Sequence, residues 1–265
     1  LSKILSIALL IAFACSDTAV FCQYANLEFT ENKGQWDQKI KFKGDLNNGA
    51  FFLLEKGFRV LQSKSEDLQK LADYYHGINQ GNKTTALSKA VVPAKDEIIV
   101  RSHAYDVQFV NASVPIISGD KVIKAYNNYI IGNDPSKWKG NCRIYHAINY
   151  NNIYKGIDAR YYTSEGQLKY DLIVHPGADV SKIAIKYDGV EGLTVKNGQL
   201  VITTSVGETR ELAPYAYQLV NGQKKEVGCR YKVTGNTVSF IVDNYSKSST
   251  LVIDPTLIFS SFTGS

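Results

Sequence analysis

Asn-Gly and Asp-Gly pairs, set between short runs of alternating apolar and polar residues, constrain this chain more than any other feature. Asn197-Gly198 separates residues 193–196 from 199–204, Asn221-Gly222 separates 217–220 from 223–233, and Asp188-Gly189 follows the alternation Ile183, Ile185, Tyr187. Such pairs accept the positive φ angles of two-residue hairpin turns, which join antiparallel strands without splaying them. A chain punctuated in this way folds as a series of hairpins. Upstream, residues 157–163 and 168–175 flank Ser164-Glu165-Gly166-Gln167, another connection of hairpin length. In the second run Leu168, Tyr170, Leu172 and Val174 fall on one face, and Lys169, Asp171, Ile173 and His175 on the other, so a single face meets a core.

Seventeen Tyr and eleven Phe against two Trp also favour strands. Residues 27–30, 39–43, 50–54 and 58–61 form close-spaced short runs, and 97–101, 104–110, 121–126, 238–242 and 251–254 continue the pattern. Residues 63–77 interrupt it. Ser63 with Glu66 reads as a capping box, Leu68, Leu71, Ala72 and Tyr75 recur at helical spacing, and Gly77 can close the turn. The expected fold is all-β, antiparallel and of sandwich type, with one short helix near 65–76. A subdivision is expected near 135–150. It gives an N-terminal β subdomain at 23–140 and a C-terminal one at 141–258, with no Pro/Ser linker to prevent the halves sharing a sheet.

Residues 1–22 read as a signal peptide: Lys3 is the positive region, 4–14 the apolar run, and Val20-Phe21-Cys22 the cleavage site before Gln23. The run is shorter than the roughly 20 apolar residues a bilayer span needs, so no transmembrane span is expected. The protein is therefore expected to be secreted or at the cell surface. A second reading makes Ala12-Phe13-Ala14-Cys15 a lipoprotein signal with Cys15 acylated. The net charge of +5 is unchanged without this segment, which holds one Lys and one Asp. Lys224-Lys225 is the only adjacent basic pair, and scattered cations of this kind do not make a nucleic-acid stripe.

Five ordered motifs resemble one family: GluAsnLysGlyGlnTrp at 31–36, AsnTyrIleIleGlyAsnAsp at 128–134, TyrLysGlyIleAspAlaArgTyrTyr at 154–162, LysTyrAspLeuIleValHisProGlyAlaAsp at 169–179 and LeuValIleAspProThrLeu at 251–257. The resemblance, over residues 26–262, is to an N-terminal module of unknown function. In large secreted Bacteroidetes proteins that module precedes seven-bladed β-propeller-type (SBBP) repeats, often with gliding-motility or type IX sorting domains further along. It implies that residues 259–265 begin a repeat region, that those repeats are partners within the same polypeptide, and it carries no catalytic residues.

The residues themselves point the same way. His76, His103, His146 and His175 show no metal-binding spacing. His146, in the alternation Cys142, Ile144, His146, Ile148, reads as a half-buried histidine. Ser205, in Thr204-Ser205-Val206-Gly207, lies outside any nucleophile motif. Asp158 and Asp171, on adjacent hairpin strands, are the best facing carboxylates for a glycosidase, but Arg160 and Lys169 share their faces and read as ion-pair partners. Cys142 and Cys229 remain after cleavage, and either a disulfide or two independent core thiols fits them. Trp36 and Trp138 are turn-packing residues or glycan-stacking platforms. The expectation is a non-catalytic extracellular or cell-surface module with a structural, adhesive or ligand-presenting role, needing no cofactor or metal and taking a surface glycan or protein ligand. The alternatives are a carbohydrate-binding module and a polysaccharide-acting enzyme.

Overall fold

The computed structural model describes residues 27–80, 98–164 and 166–259. The signal-peptide and lipoprotein readings of residues 1–22 fall outside them. Four short strands, β1 (Phe29–Glu31), β2 (Phe42–Leu46), β3 (Gly49–Leu54) and β4 (Gly57–Ser63), form a meander. Helix α1 (Ser65–Gln80) follows, and β5 (Ser102–Phe109) returns beside β4. Strands β6 (Ile116–Tyr129) and β7 (Lys139–Tyr154) make a long hairpin, extended by β8 (Ile157–Ser164) and β9 (Gln167–Val174). The chain continues through β10 (Ile185–Asp188), β11 (Gly192–Lys196), β12 (Gln199–Thr204), β13 (Gly207–Glu211) and β14 (Tyr215–Val220). It ends with β15 (Gln223–Val227), β16 (Cys229–Thr234), β17 (Thr237–Val242), β18 (Leu251–Asp254) and β19 (Thr256–Phe259).

All of these strands belong to one antiparallel sheet, and its pairings explain the shape. Strand β1 joins the meander to β7, while β5 pairs with β10, β10 with β17 and β17 with β16. On the other side β9 pairs with both β18 and β19, which carry β14 and β13 in turn. At the far end of the β13–β12–β11 series, β11 comes beside β16. The sheet thus curls into a nearly closed barrel. The expected all-β antiparallel class holds, while its finer form is a sheet whose ring of pairings curls round on itself and is open only between β11 and β16 among the described residues. Curling satisfies backbone groups that open edges would leave unpaired. The 140/141 division falls inside β7, and one buried cluster draws side chains from both halves, including Phe51, Phe58, Tyr161 and Ile253.

Local chemistry accounts for the elements. In β9 the alternation is realised residue by residue, with Leu168, Tyr170, Leu172 and Val174 buried. Burying an aliphatic side chain such as Leu172 completely contributes about 1.5–3 kcal/mol. Aromatic rings fill the interior: Phe51 and Phe58 lie 4.8 Å apart by centroid, and Tyr161 stands edge-on to Tyr150 at 5.2 Å. Both Asn-Gly turns form as expected, with φ of +51° and +77° at Asn197-Gly198 and +51° and +78° at Asn221-Gly222.

The helix starts at Ser65, and the capping box does not form around Ser63. That residue ends β4, where its hydroxyl lies 2.9 Å from the Ser102 hydroxyl across the ladder. Asp67 docks α1 instead. Its carboxylate takes the Arg101 guanidinium at 2.7 and 2.8 Å and the Arg101 amide at 3.1 Å, contacts that hold its pKa well below the usual carboxylate range.

Candidate binding face

Polar side chains collect in two places, inside the barrel and on its outer wall. Inside, Glu211 of β13 is fully buried and receives hydroxyls from three other strands: Tyr187 of β10, Tyr170 of β9 at 2.9 Å and Tyr231 of β16 at 3.4 Å. Burial raises its carboxyl pKa, and the three phenol donors work against that shift. Nearby, the buried Thr209 donates to Gln62 at 2.8 Å. These groups tie the two arms of the sheet together from within.

The outer wall is the second place. Strand β14 alternates buried Ala216 and Gln218 with outward Tyr215 and Tyr217, because Tyr215 pairs with Asp254 and Tyr217 with Val252 on β18. The two rings lie 5.6 Å apart at 31°, nearly side by side, and Tyr215 is 40% exposed. From β15 the Lys224 ammonium sits 4.1 Å above the Tyr217 ring.

Beside this pair lies a carboxylate couple. Asp171 on β9 precedes the Leu172–Ile253 ladder pair and Asp254 on β18 follows it, so the two stand opposite each other on the outer wall. The Lys169 ammonium bonds Asp254 Oδ2 at 3.1 Å, and the Tyr162 hydroxyl donates to Asp171 Oδ1 at 3.1 Å. Burial first, and the Asp254 charge second, push the Asp171 carboxyl up to about 6. Asp254 Oδ1 is buried with no hydrogen-bond partner among the described residues, an acceptor facing a neighbour that readily holds a proton.

This rearranges the carboxylate pairing expected from sequence. Asp158 does not work with Asp171: it accepts from the Asn152 amide at 2.7 Å and lies 2.7 Å from His175 Nε2. Arg160 reaches Asp120 at 2.7 Å instead of Asp158, and Lys169 goes to Asp254. The partners come from strands distant in sequence, which a strand-by-strand reading could not supply. The signal for Tyr215 and Tyr217 was the Tyr-x-Tyr spacing of β14, which puts both rings on one face.

The other expected site residues lie apart from this wall. Trp36 packs against Tyr129, centroids 5.1 Å apart at 72°, with Lys43 5.7 Å from its ring. Trp138 is 41% exposed, and its indole nitrogen donates to Gly132 O at 3.1 Å. The Trp36 pair is edge-to-face and so is not a flat platform. Cys142 and Cys229 are free thiols on β7 and β16, strands that do not pair, so the disulfide reading is corrected to two separate thiols. Burial raises both pKa values, that of Cys229 to about 12 with help from Asp243. His146 is exposed, contrary to expectation, because the alternation in β7 slips where Ala147 and Ile148 are buried in succession. His103 Nε2 lies 2.7 Å from the Gly189 carbonyl, which can only accept, so its other nitrogen takes the Ser205 hydroxyl at 2.8 Å.

A half-open recess between β4, α1 and the β12–β13 turn holds about 120 Å³, below the roughly 300–1,000 Å³ of small-molecule sites, while a shallower and more open one lined by Lys39, Lys41, Leu54, Glu55, Lys56 and Gln108 holds about 580 Å³. Among the described residues no cluster of three His, Cys, Asp or Glu side chains gathers for a metal, and no helix is long and apolar enough to cross a membrane.

Fold and outer wall together define an all-β, barrel-like module with a tyrosine pair and a carboxylate couple on the outside of the sheet. The chain belongs to the family described as domain of unknown function DUF7948, whose model matches residues 29–256, from the start of β1 to the start of β19. No curated protein and no solved structure matches it.

Proposed function

We propose that this chain is a non-catalytic extracellular or cell-surface module of a larger secreted protein, a β frame that presents a ligand-binding wall in a structural or adhesive role. The observation that carries the reading is the outward Tyr215–Tyr217 pair, held by a ladder on both sides and flanked by Lys224. Its tyrosines are fixed by the same strand whose other face packs the core, so the wall is preorganised and binding orders little. The export reading of residues 1–22 supports an extracellular setting. The resemblance to modules that precede SBBP repeats supports a place within a longer polypeptide, where those repeats are its partners.

A carbohydrate is the ligand class this wall favours. Sugar rings offer apolar C–H faces that stack on aromatic rings, and hydroxyls that pair with groups such as Lys224. The test is a glycan array with the secreted form, followed by Tyr215→Ala and Tyr217→Ala. Each truncation is expected to weaken a hit by about tenfold, equivalent to about 1.4 kcal/mol. Hits unaffected by both substitutions would remove the wall from the proposal, and glycan hydrolysis abolished by Asp171→Asn would replace binding with catalysis.

A further inference from the structure

Six of the fifteen exposed large apolar side chains among the described residues lie on one hairpin. Ile116, Val122 and Tyr126 of β6 are 68%, 62% and 56% exposed, and Ile130, Ile131 and Trp138 follow at its tip. Surface apolar residues on a monomer are normally scattered, and a contiguous set marks an interaction site. Strand β6 pairs with β7 alone, so its other edge presents backbone N–H and C=O groups without a ladder among the described residues.

Other edges of the sheet are guarded. Strand β15, also paired on one side only, exposes Gln223, Lys224, Lys225 and Glu226 in succession, and charged side chains of this kind discourage strand addition. The start of β6 lacks that protection, since Ile116 to Gly119 carry no charge. From Ile116 to Asp120 it keeps an unbroken register with Asn151 to Ala147, and only beyond Val122 does the register shift. Five regular residues are a normal strand length.

We infer that the free edge of β6 over residues 116–122 receives an extended polypeptide strand that is acidic and apolar in alternation. The acidic character follows from the charges available. Asp120 is engaged by Arg160 at 2.7 Å, whereas Lys121 and Lys124 form no salt bridge among the described residues. A second copy of this chain is the poorer occupant, because the one acid on its own β6 is already committed to Arg160. Main-chain bonds supply the docking, and the apolar residues set which side chains alternate opposite them.

The test uses an acetylated, amidated heptapeptide alternating glutamate with valine, added to the exported full chain and followed by amide hydrogen exchange. Saturating peptide is expected to slow exchange over residues 116–122 at least tenfold and to leave β15 unchanged. Methylating alternate peptide nitrogens, which removes one donating edge, is expected to abolish the protection. Replacing glutamate by lysine in the peptide should weaken it severalfold, and Lys121→Glu combined with Lys124→Glu should reverse that preference. No protection at saturation, protection that survives methylation, or equal protection by the lysine peptide would each overturn the inference. So would protection that appears without peptide and grows with protein concentration, which would assign the edge to self-association.

Discussion

The Tyr170 hydroxyl donates to the Glu211 carboxyl at 2.9 Å in the middle of the barrel, across two strands 41 residues apart in sequence. Tyr187 and Tyr231 converge on the same carboxyl, so one buried acid links β9, β10, β13 and β16. Buried polar groups are worth keeping only when satisfied, and here one carboxyl accepts from two phenols and shares the third, that of Tyr231, with the Leu212 carbonyl at 2.9 Å.

Glu211 makes stability depend on pH in a direction opposite to that of a salt-bridged acid. Its folded pKa is raised, so the fold favours the protonated form. That stabilisation is fully present below the ordinary carboxyl value and is lost as pH rises through the folded value. Glu211→Gln keeps an acceptor for the phenols and cannot ionise. Urea melts between pH 4 and 8 should show a flatter profile for the variant, with its gain over the wild type largest at the high end. Glu211→Leu strands the Tyr170 and Tyr187 hydroxyls and should cost about 2–6 kcal/mol at the acid end of that range, at roughly 1–3 kcal/mol for each unsatisfied group, and less as pH rises.

The local rules were legible in the sequence; the closure was not. Asn197-Gly198 and the alternation of Leu168 to Val174 announce hairpins because turn dihedrals and side-chain direction are set by neighbouring residues. Nothing local says that β5 will pair with β10 or that β11 will come beside β16, since both depend on contacts between distant segments. Strand β6 was anticipated only over 121–126. It is exposed on both faces, so it carries no apolar/polar alternation to mark its full length. The carboxylate couple failed for the same reason as the closure, with Asp254 coming from 83 residues beyond Asp171 in the chain.

The two thiols should behave as packing groups. Cys142 is buried and Cys229 half-buried, and the thiolate, which is the reactive form, is disfavoured at both. Alkylation of the folded protein at pH 8 is expected to be far slower than that of the urea-unfolded chain, and adding reductant should leave the melting temperature unchanged. A drop in melting temperature with reductant would show a bond between them.

Gly57 opens β4 at φ +149°, and a Cβ placed there would lie 2.0 Å from the Val107 carbonyl oxygen on β5. Val107 is paired on both sides, with Phe58 and with Tyr187, so its backbone cannot step aside cheaply. Gly57→Ala should therefore cost about 1–3 kcal/mol, the usual range for overpacking, read as a lower urea midpoint with an unchanged slope. Gly222→Ala is the comparison. Its Cβ meets nothing within 4 Å, so its cost comes from the φ of +78° alone.

On the outer wall the Asp171 carboxyl should titrate near pH 6, and the cause can be divided by mutation. Burial is the larger contribution and the Asp254 charge the smaller, so Asp254→Asn should lower the midpoint without returning it to the ordinary value of 3.8. A carbon-detected NMR titration reads this directly. The sign for stability is that of a raised acid: the contribution is present below pH 3.8 and lost as pH rises through about 6, and Asp171→Asn should remove that part of the slope. Tyr162→Phe deletes the hydroxyl that favours the ionised carboxylate by donating to it at 3.1 Å, and should move the midpoint further upward. An Asp171 midpoint that stays put in Asp254→Asn would mean the two carboxylates do not sense each other. The unpaired Asp254 Oδ1 would then have no proton donor in Asp171 to answer it.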